Sequence, residues 1–162
     1  GVAAPDHDAL RPWRFLLVRG PARQRLGDVF AEAARQRDPG LSAAALERQR
    51  AKPLRAPLII VVAARIDPDN PRVPEIEQML SAGAALQQMQ LAASALGFGA
   101  IWLTGPNARD ATVTEALGLG FDDRVAGFLY IGTVREAPPV PRRPEVADHV
   151  VEWTEPCAHE TV

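Results

Sequence analysis

His7 lies in the segment APDHDALRPWRFLLV, residues 4–18, whose residue types could place an imidazole against a planar ligand. The Pro-Asp pair before the histidine predicts a loop, and the proline after Arg11 is expected to hold that arginine in an extended conformation. The apolar run Phe15–Val18 then predicts a buried strand. A histidine in such a loop could contact a ligand at the end of a sheet, or it could only hydrogen-bond to nearby backbone.

Motifs for several other chemistries are missing from the sequence. There is no GxGxxG or GxxxxGK[ST] segment, so nothing supports a nucleotide-binding loop of either kind, and there is no GxSxG nucleophile motif. The single cysteine, Cys157, allows no internal disulfide. Cysteine and histidine do not cluster at the spacing of metal ligands, so we expect no metal site.

Four segments in order along the chain resemble the nitroreductase family, in particular a small subgroup with an APDH…PWRF loop. Besides that loop they are LGFGAIWLTG at 96–105, AGFLYIGTV at 126–134 and PRRPEVADHVVEW at 141–153. The resemblance implies an FMN-dependent oxidoreductase that works as a homodimer. It would take hydride from NAD(P)H and pass it through the flavin to a nitroaromatic, quinone or similar acceptor, in a ping-pong cycle. Since the cofactor carries such chemistry, no catalytic side chain is expected.

The resemblance also assigns cofactor-binding roles to particular positions. His7 and Arg11 would bind FMN from the first loop. The side of the flavin ring would be lined, across the dimer interface, by Trp102, Leu103 and Thr104. Arg142 and Arg143 match an arm whose basic residue pairs with the FMN phosphate, for which a guanidinium is well suited, although a solvated basic pair is the alternative.

Two further matches have weaker support. The first is a helix end that the family subgroup associates with NAD(P) contact, for which core packing is the alternative. Its residues are Ala92, Ala93, Ser94, Ala95, Leu96 and Gly97. Glu77 matches an acidic residue at the head of the family's long helix, where it could equally be a favourable charge near a helix N-terminus.

The start of the chain differs from the family pattern. The first residue is Gly1, and Ala3 stands where close relatives have an arginine. The family carries a helix before this point with an Arg-Arg-Ser segment that holds the FMN phosphate. We therefore expect the gene to encode a further helix and an arginine pair upstream. There are two alternatives to an enzyme. One is a flavin-binding or flavin-storing protein with little turnover, and the other is a structural α/β protein that has lost flavin.

Size and composition limit the remaining possibilities. A chain of 162 residues with 47% hydrophobic residues is expected to form one domain, 1–162, with a real core. The net charge of −2 argues against binding of a nucleic-acid backbone. The sequence contains no apolar run long enough to span a membrane, and its one cysteine fits a reducing compartment, so we expect a cytoplasmic protein.

The elements that must position these residues alternate along the chain. The alternation of strands and helices predicts a three-layer sandwich of the α/β or α+β class. The resemblance to the nitroreductase family implies the α+β fold, with a central sheet flanked by helices. Strands are predicted at 13–19, 58–64, 98–103 and 124–134, helices at 21–37, 43–51, 74–96 and 107–117, and an extended, proline-rich arm at 137–162. The small residues within helix 74–96 permit close approach of another helix, either in the core or at a dimer seam.

Overall fold

The computed structural model describes residues 1–136 and 142–153, and within them four strands alternate with four helices. The strands are β1 Trp13–Arg19, β2 Leu58–Arg65, β3 Gly99–Leu103 and β4 Asp123–Gly132. The helices are α1 Ala22–Arg37, α2 Ala43–Ala51, α3 Glu75–Ala95 and α4 Ala111–Ala116. Single turns of 3-10 helix lie at His7–Ala9, Lys52–Arg55, Pro106–Arg109 and Val146–Asp148.

The strands form one antiparallel sheet in the order β1-β2-β4-β3. β2 is central and carries the most apolar run, and its residues Val61–Ala64 are completely buried. The ladder between β2 and β4 contains an irregularity at Val62/Ala63. β1 and β3 are the edges, so the strand that follows the His7 loop is only half-buried along most of its length, not buried as its apolar run predicts.

Helices cover both faces of the sheet, which confirms the predicted α+β sandwich. On one face α1 and α4 pack on β2 and β4, and Phe30 of α1 meets Phe128 edge-on with ring centroids 5.3 Å apart. On the other face Ala82 and Leu86 of α3 pack on Val62. Because α1 and α4 bury apolar side chains against one face of the sheet and α3 against the other, the position of the β3 edge relative to these helices is fixed. Within the described part of the chain, no helix is long and apolar enough to cross a membrane.

Two predicted elements and the predicted backbone conformation of Arg11 differ from the structure. The predicted helix 107–117 is interrupted at Asp110, whose extended backbone ends a 3-10 turn and whose side chain accepts a hydrogen bond from the Val113 N–H to cap α4. β4 ends at Gly132, two residues earlier than predicted. Arg11 is not extended, since its φ is 53°.

The C-terminal segment is described only in part. Residues 142–153 are exposed, with one helical turn at Val146–Asp148 where the sequence predicted none. The rest of the predicted arm, and Cys157 with it, lie outside the described residues.

Candidate functional site

An open groove of about 630 Å³ lies where the first loop, α3 and the edge strand β3 meet. The loop contributes His7, α3 contributes Glu77 with Gly83 and Ala84, and β3 contributes Trp102. The floor of the groove is therefore formed by small side chains and is largely apolar. One end of the groove is polar, and an aromatic side chain lies at its other side. This arrangement can accept a flat, mostly apolar ligand with polar atoms at one edge.

His7 and Glu77 form the polar end of the groove. Nδ1 of His7 is 2.5 Å from Oε2 of Glu77, although the residues are 70 positions apart in sequence. The hydrogen bond to Glu77 is the main cause of a pKa of His7 above its ordinary value of 6.5, and the nearby charge of Asp8 adds to it while Arg72 opposes it. His7 thus contacts a side chain and not, as in the alternative considered from the sequence, the backbone.

The loop before β1 is held against α3 by several polar contacts. Ser81 Oγ donates a hydrogen bond of 2.8 Å to the carbonyl of Pro5, and Arg72 pairs with Asp8 at 2.9 Å. The N–H of Arg11 donates to Asp6 Oδ2 at 2.7 Å, which explains why Arg11 turns instead of extending.

Three non-glycine residues of this loop have positive φ: Asp8, Ala9 and Arg11. Such backbone is costly for residues with a Cβ, so the contacts with α3 and with Arg72 must offset strain in the loop.

Gln78 stabilises the loop that supplies Arg72. This side chain is completely buried in the first turns of α3. Its Oε1 accepts from the N–H of Asp67, and its Nε2 donates to the carbonyls of Asp67 and Val73, all at 2.8–2.9 Å. Both the oxygen and the nitrogen of this buried amide are hydrogen-bonded to backbone groups, so the amide holds that backbone in place as secondary structure does. The segment between β2 and α3 is therefore anchored beside the groove.

Trp102 is fixed on the edge strand by its own indole N–H. Nε1 donates to the carbonyl of Ala126 at 3.1 Å. The ring lies so close to β4 that a Cβ on Gly127 would be 2.1 Å from Nε1, so only glycine allows this position. Trp102 remains 37% exposed and faces Gly83, whose added Cβ would be 3.8 Å from Cη2 of the ring.

The structure brings some of the predicted site residues together and separates others. His7 and Trp102 line the same groove. Leu103 packs on the opposite, α1-covered face of the sheet, and Thr104 is exposed beyond the end of β3.

The predicted arginines are exposed and lie outside the groove lining. Arg11 follows the 3-10 turn of the first loop, and Arg142 and Arg143 lie in the C-terminal segment.

The predicted NAD(P) segment 92–97 lies at the far end of α3. Its residues do not line the groove, and the helix ends there with Gly97 at a φ of 82° and the N–H of Phe98 bonded to the carbonyl of Ala93. Of the six residues only Ala93 is buried, so the segment ends the helix at the surface, and its contact with NAD(P) stays a prediction.

Sequence reasoning found Glu77 and the small residues of α3 but did not recognise that they share one groove-lining face with Leu80 and Gln87. The groove-lining residues of the helix recur at helical spacing: Glu77, Leu80, Ser81, Ala84 and Gln87. This spacing could have been found from the sequence, because residues three and four apart share a helix face. The pattern does not indicate which other elements this face of the helix packs against or faces.

The comparisons with known proteins agree on one family. The profile described as the Nitroreductase family matches residues 1–133. YdjA of Escherichia coli K12, named as a candidate NAD(P)H nitroreductase, is 42% identical over 133 residues, which are 82% of this chain and 71% of YdjA. A nitroreductase-like protein from Bacillus cereus superposes with a TM-score of 0.77 at 26% identity, covering 94% of this chain and 79% of that one. A candidate nitroreductase from Desulfovibrio desulfuricans, solved in complex with FMN, has a TM-score of 0.67 at 26% identity, covering 96% and 80%.

Proposed function

Because the chain belongs to the nitroreductase family, we propose that it is an FMN-dependent oxidoreductase that takes electrons from NAD(P)H and gives them to a nitroaromatic, quinone or similar acceptor. The observation that carries the proposal is the groove between the first loop, α3 and β3. It combines a flat floor, a fixed aromatic side chain and an imidazole–carboxylate pair. The solved relative with bound FMN supports the choice of cofactor.

The residues of the groove fit the ring of a flavin. Gly83 and Ala84 leave room for a planar group above α3, and Trp102 offers an apolar surface at its side. His7 stands at the edge, where the polar atoms of such a ring need hydrogen-bond partners. Bound there, FMN would supply the hydride and electron chemistry, and the protein would hold it and leave one face open.

The phosphate of FMN needs cations that the described lining of this groove lacks. The charged groups there are His7, Asp6 and Glu77, with no arginine or lysine among the lining residues the structure describes. Arg142 and Arg143 are the cations that the family resemblance assigns to the phosphate. A dianion without such partners is costly to bury, so their contribution should dominate the salt dependence of binding.

An absorbance spectrum and a turnover assay test the proposal. The purified full-length protein, incubated with excess FMN and then desalted, should retain flavin absorbance. It should then oxidise NADH or NADPH in the presence of a nitroaromatic acceptor. Protein that stays colourless contradicts the flavin assignment. Protein that holds flavin but shows no turnover with either nucleotide is instead a flavin-binding protein.

We also propose that the protein is a homodimer with flavin at the interface. One face of α3 leaves large apolar side chains in solvent: Ile76, Leu80 and Leu91 are each more than 60% exposed. They share the side of the helix that lines the groove. A second copy of the chain that covers this face would bury the stripe and close the groove.

A further inference from the structure

Glu77 is the residue of the groove whose geometry says most about ligand binding. Its Oε2 lies 2.5 Å from Nδ1 of His7. An ionised carboxylate can only accept hydrogen bonds, so the proton of this contact belongs to Nδ1. The other ring nitrogen, Nε2, is then the atom that remains for a ligand.

We propose that Glu77 is a positioning residue for His7, holding the imidazole so that Nε2 meets the polar edge of a ligand in the groove. The inference rests on the proposed function for the identity of that ligand, a flavin. Glu77 acts through His7, in the way that a carboxylate fixes the tautomer of a metal-binding or catalytic histidine.

The charged groups around His7 determine whether Nε2 donates or accepts a hydrogen bond. Glu77 faces the ring from α3, Asp8 from the same 3-10 turn and Arg72 from the loop after β2, while Asp6 lies at the same end of the groove. The carboxylates favour the imidazolium and Arg72 opposes it, and the pKa of His7 is raised. Below that pKa Nε2 carries a proton and donates to an acceptor, such as a ring carbonyl. Above it Nε2 is only an acceptor.

The loop does not depend on Glu77 alone for its place. Ser81 holds Pro5, and Arg72 holds Asp8, through contacts that a change at position 77 leaves intact. Glu77 itself is 43% exposed, so its replacement creates no cavity. A variant at this position therefore tests the orientation and charge of His7 separately from the fold.

The test compares Glu77→Gln with Glu75→Gln. Glutamine at 77 keeps an acceptor for Nδ1 and removes the charge. Glu75 is a carboxylate of the same helical turn that pairs with Arg124 at 3.5 Å, so its variant controls for charge near the helix N-terminus. NMR titration of the His7 ring nitrogens in flavin-free protein, assigned with His7→Gln, gives the tautomer and the pKa. FMN titration across pH gives affinity.

In the wild-type protein we expect Nδ1 to be protonated throughout the titration, and Glu77→Gln to lower the pKa of His7. FMN binding by Glu77→Gln should weaken on the order of tenfold near neutral pH, with the midpoint of its pH dependence shifted down together with that pKa. Glu75→Gln should leave both unchanged. An ordinary His7 pKa in the wild type, an unchanged one in Glu77→Gln, or equal losses in both variants would overturn the inference. Failure of the wild type to bind FMN would overturn the proposed function instead, and the flavin-free titration would still decide the role of Glu77.

Discussion

Single residues in this protein are placed by contacts that span long distances in sequence. Trp102 owes its position to a carbonyl of Ala126 and to the absence of a side chain at Gly127. His7 owes its raised pKa mainly to the hydrogen bond with Glu77. Neither pair is visible as a local motif, because the two members of each come from different elements. Each pair can be tested by replacing a single residue.

Alanine at position 127 should displace Trp102. A Cβ there would lie 2.1 Å from Nε1 and 3.1 Å from Leu86 Cδ1, so the indole must move and lose its hydrogen bond. We expect Gly127→Ala to lower the free energy of unfolding by about 1–3 kcal/mol, the range of overpacked cores, and to weaken FMN binding. Urea denaturation and flavin titration measure the two effects.

Gly120→Ala is the matched control for that change. Its added Cβ would approach no atom closer than 3.7 Å, and its φ is not positive. It should change the stability by less than about 0.5 kcal/mol. Equal stability of Gly127→Ala and wild type would show that Trp102 is free to move.

The contribution of His7 to stability should decrease as the pH rises. Its folded pKa lies above 6.5 because it donates to Glu77, so its stabilising effect is complete below 6.5 and is lost as the pH passes through the raised value. Wild type should therefore exceed His7→Gln in stability most at mildly acidic pH. Urea denaturation of both proteins at several pH values measures the difference. A gap that widens at alkaline pH contradicts this sign.

At the scale of elements, α3 organises the site from both of its faces. Its buried side packs on the sheet through Ala82 and Leu86, and its first turns anchor the preceding loop through Gln78. The exposed side forms the floor of the groove. A shift of this helix would therefore move the loop, the floor and Glu77 together.

Replacement of Gln78 by methionine should cost much more than the same change at Gln90. Gln78→Met leaves the N–H of Asp67 and the carbonyls of Asp67 and Val73 without their partner, and we expect a loss of about 2–3 kcal/mol. The Oε1 of Gln90 is buried and has no hydrogen-bond partner among the described residues, so Gln90→Met should be neutral within about 0.5 kcal/mol. Thermal or urea unfolding of both variants checks the contrast. Similar losses would mean that the loop finds other partners.

At the scale of the whole molecule, a sheet covered by helices on both faces leaves an apolar stripe of α3 in solvent next to the groove. Leu91 on this stripe is 61% exposed, and Leu80, at the groove itself, is 64% exposed. Burial of such side chains in a dimer would contribute about 1.5–3 kcal/mol each. Assembly and cofactor binding would then depend on the same surface.

Glutamate on the stripe should weaken the proposed dimer. We expect Leu91→Glu to raise the dimer Kd by roughly ten- to a hundredfold, because a charge replaces a buried apolar side chain. Phe121→Glu, which alters a 94% exposed side chain in the turn before β4, is the control and should leave the dimer intact. Light scattering over a range of concentrations measures both. A wild-type monomer with flavin bound would contradict the dimer.

Local sequence patterns indicated most of the elements and the family. The apolar run of β2, the amphipathic pattern of α1 and the Pro74–Gly97 limits of α3 are local signals, and helix and strand formation follow local periodicity and capping. The motifs around His7 and Trp102 indicated the same family that the comparisons show. The partners that these residues contact are seen only in the three-dimensional structure. The break at Asp110 depends on one side-chain cap, and the turn at Arg11 on the carboxylate of Asp6. The pairing of His7 with Glu77 depends on the packing of α3 against the sheet. The first two contacts are local, but several side chains could have made them, so the sequence does not single them out. The third joins residues 70 positions apart, and a local pattern does not indicate which helix face meets which loop.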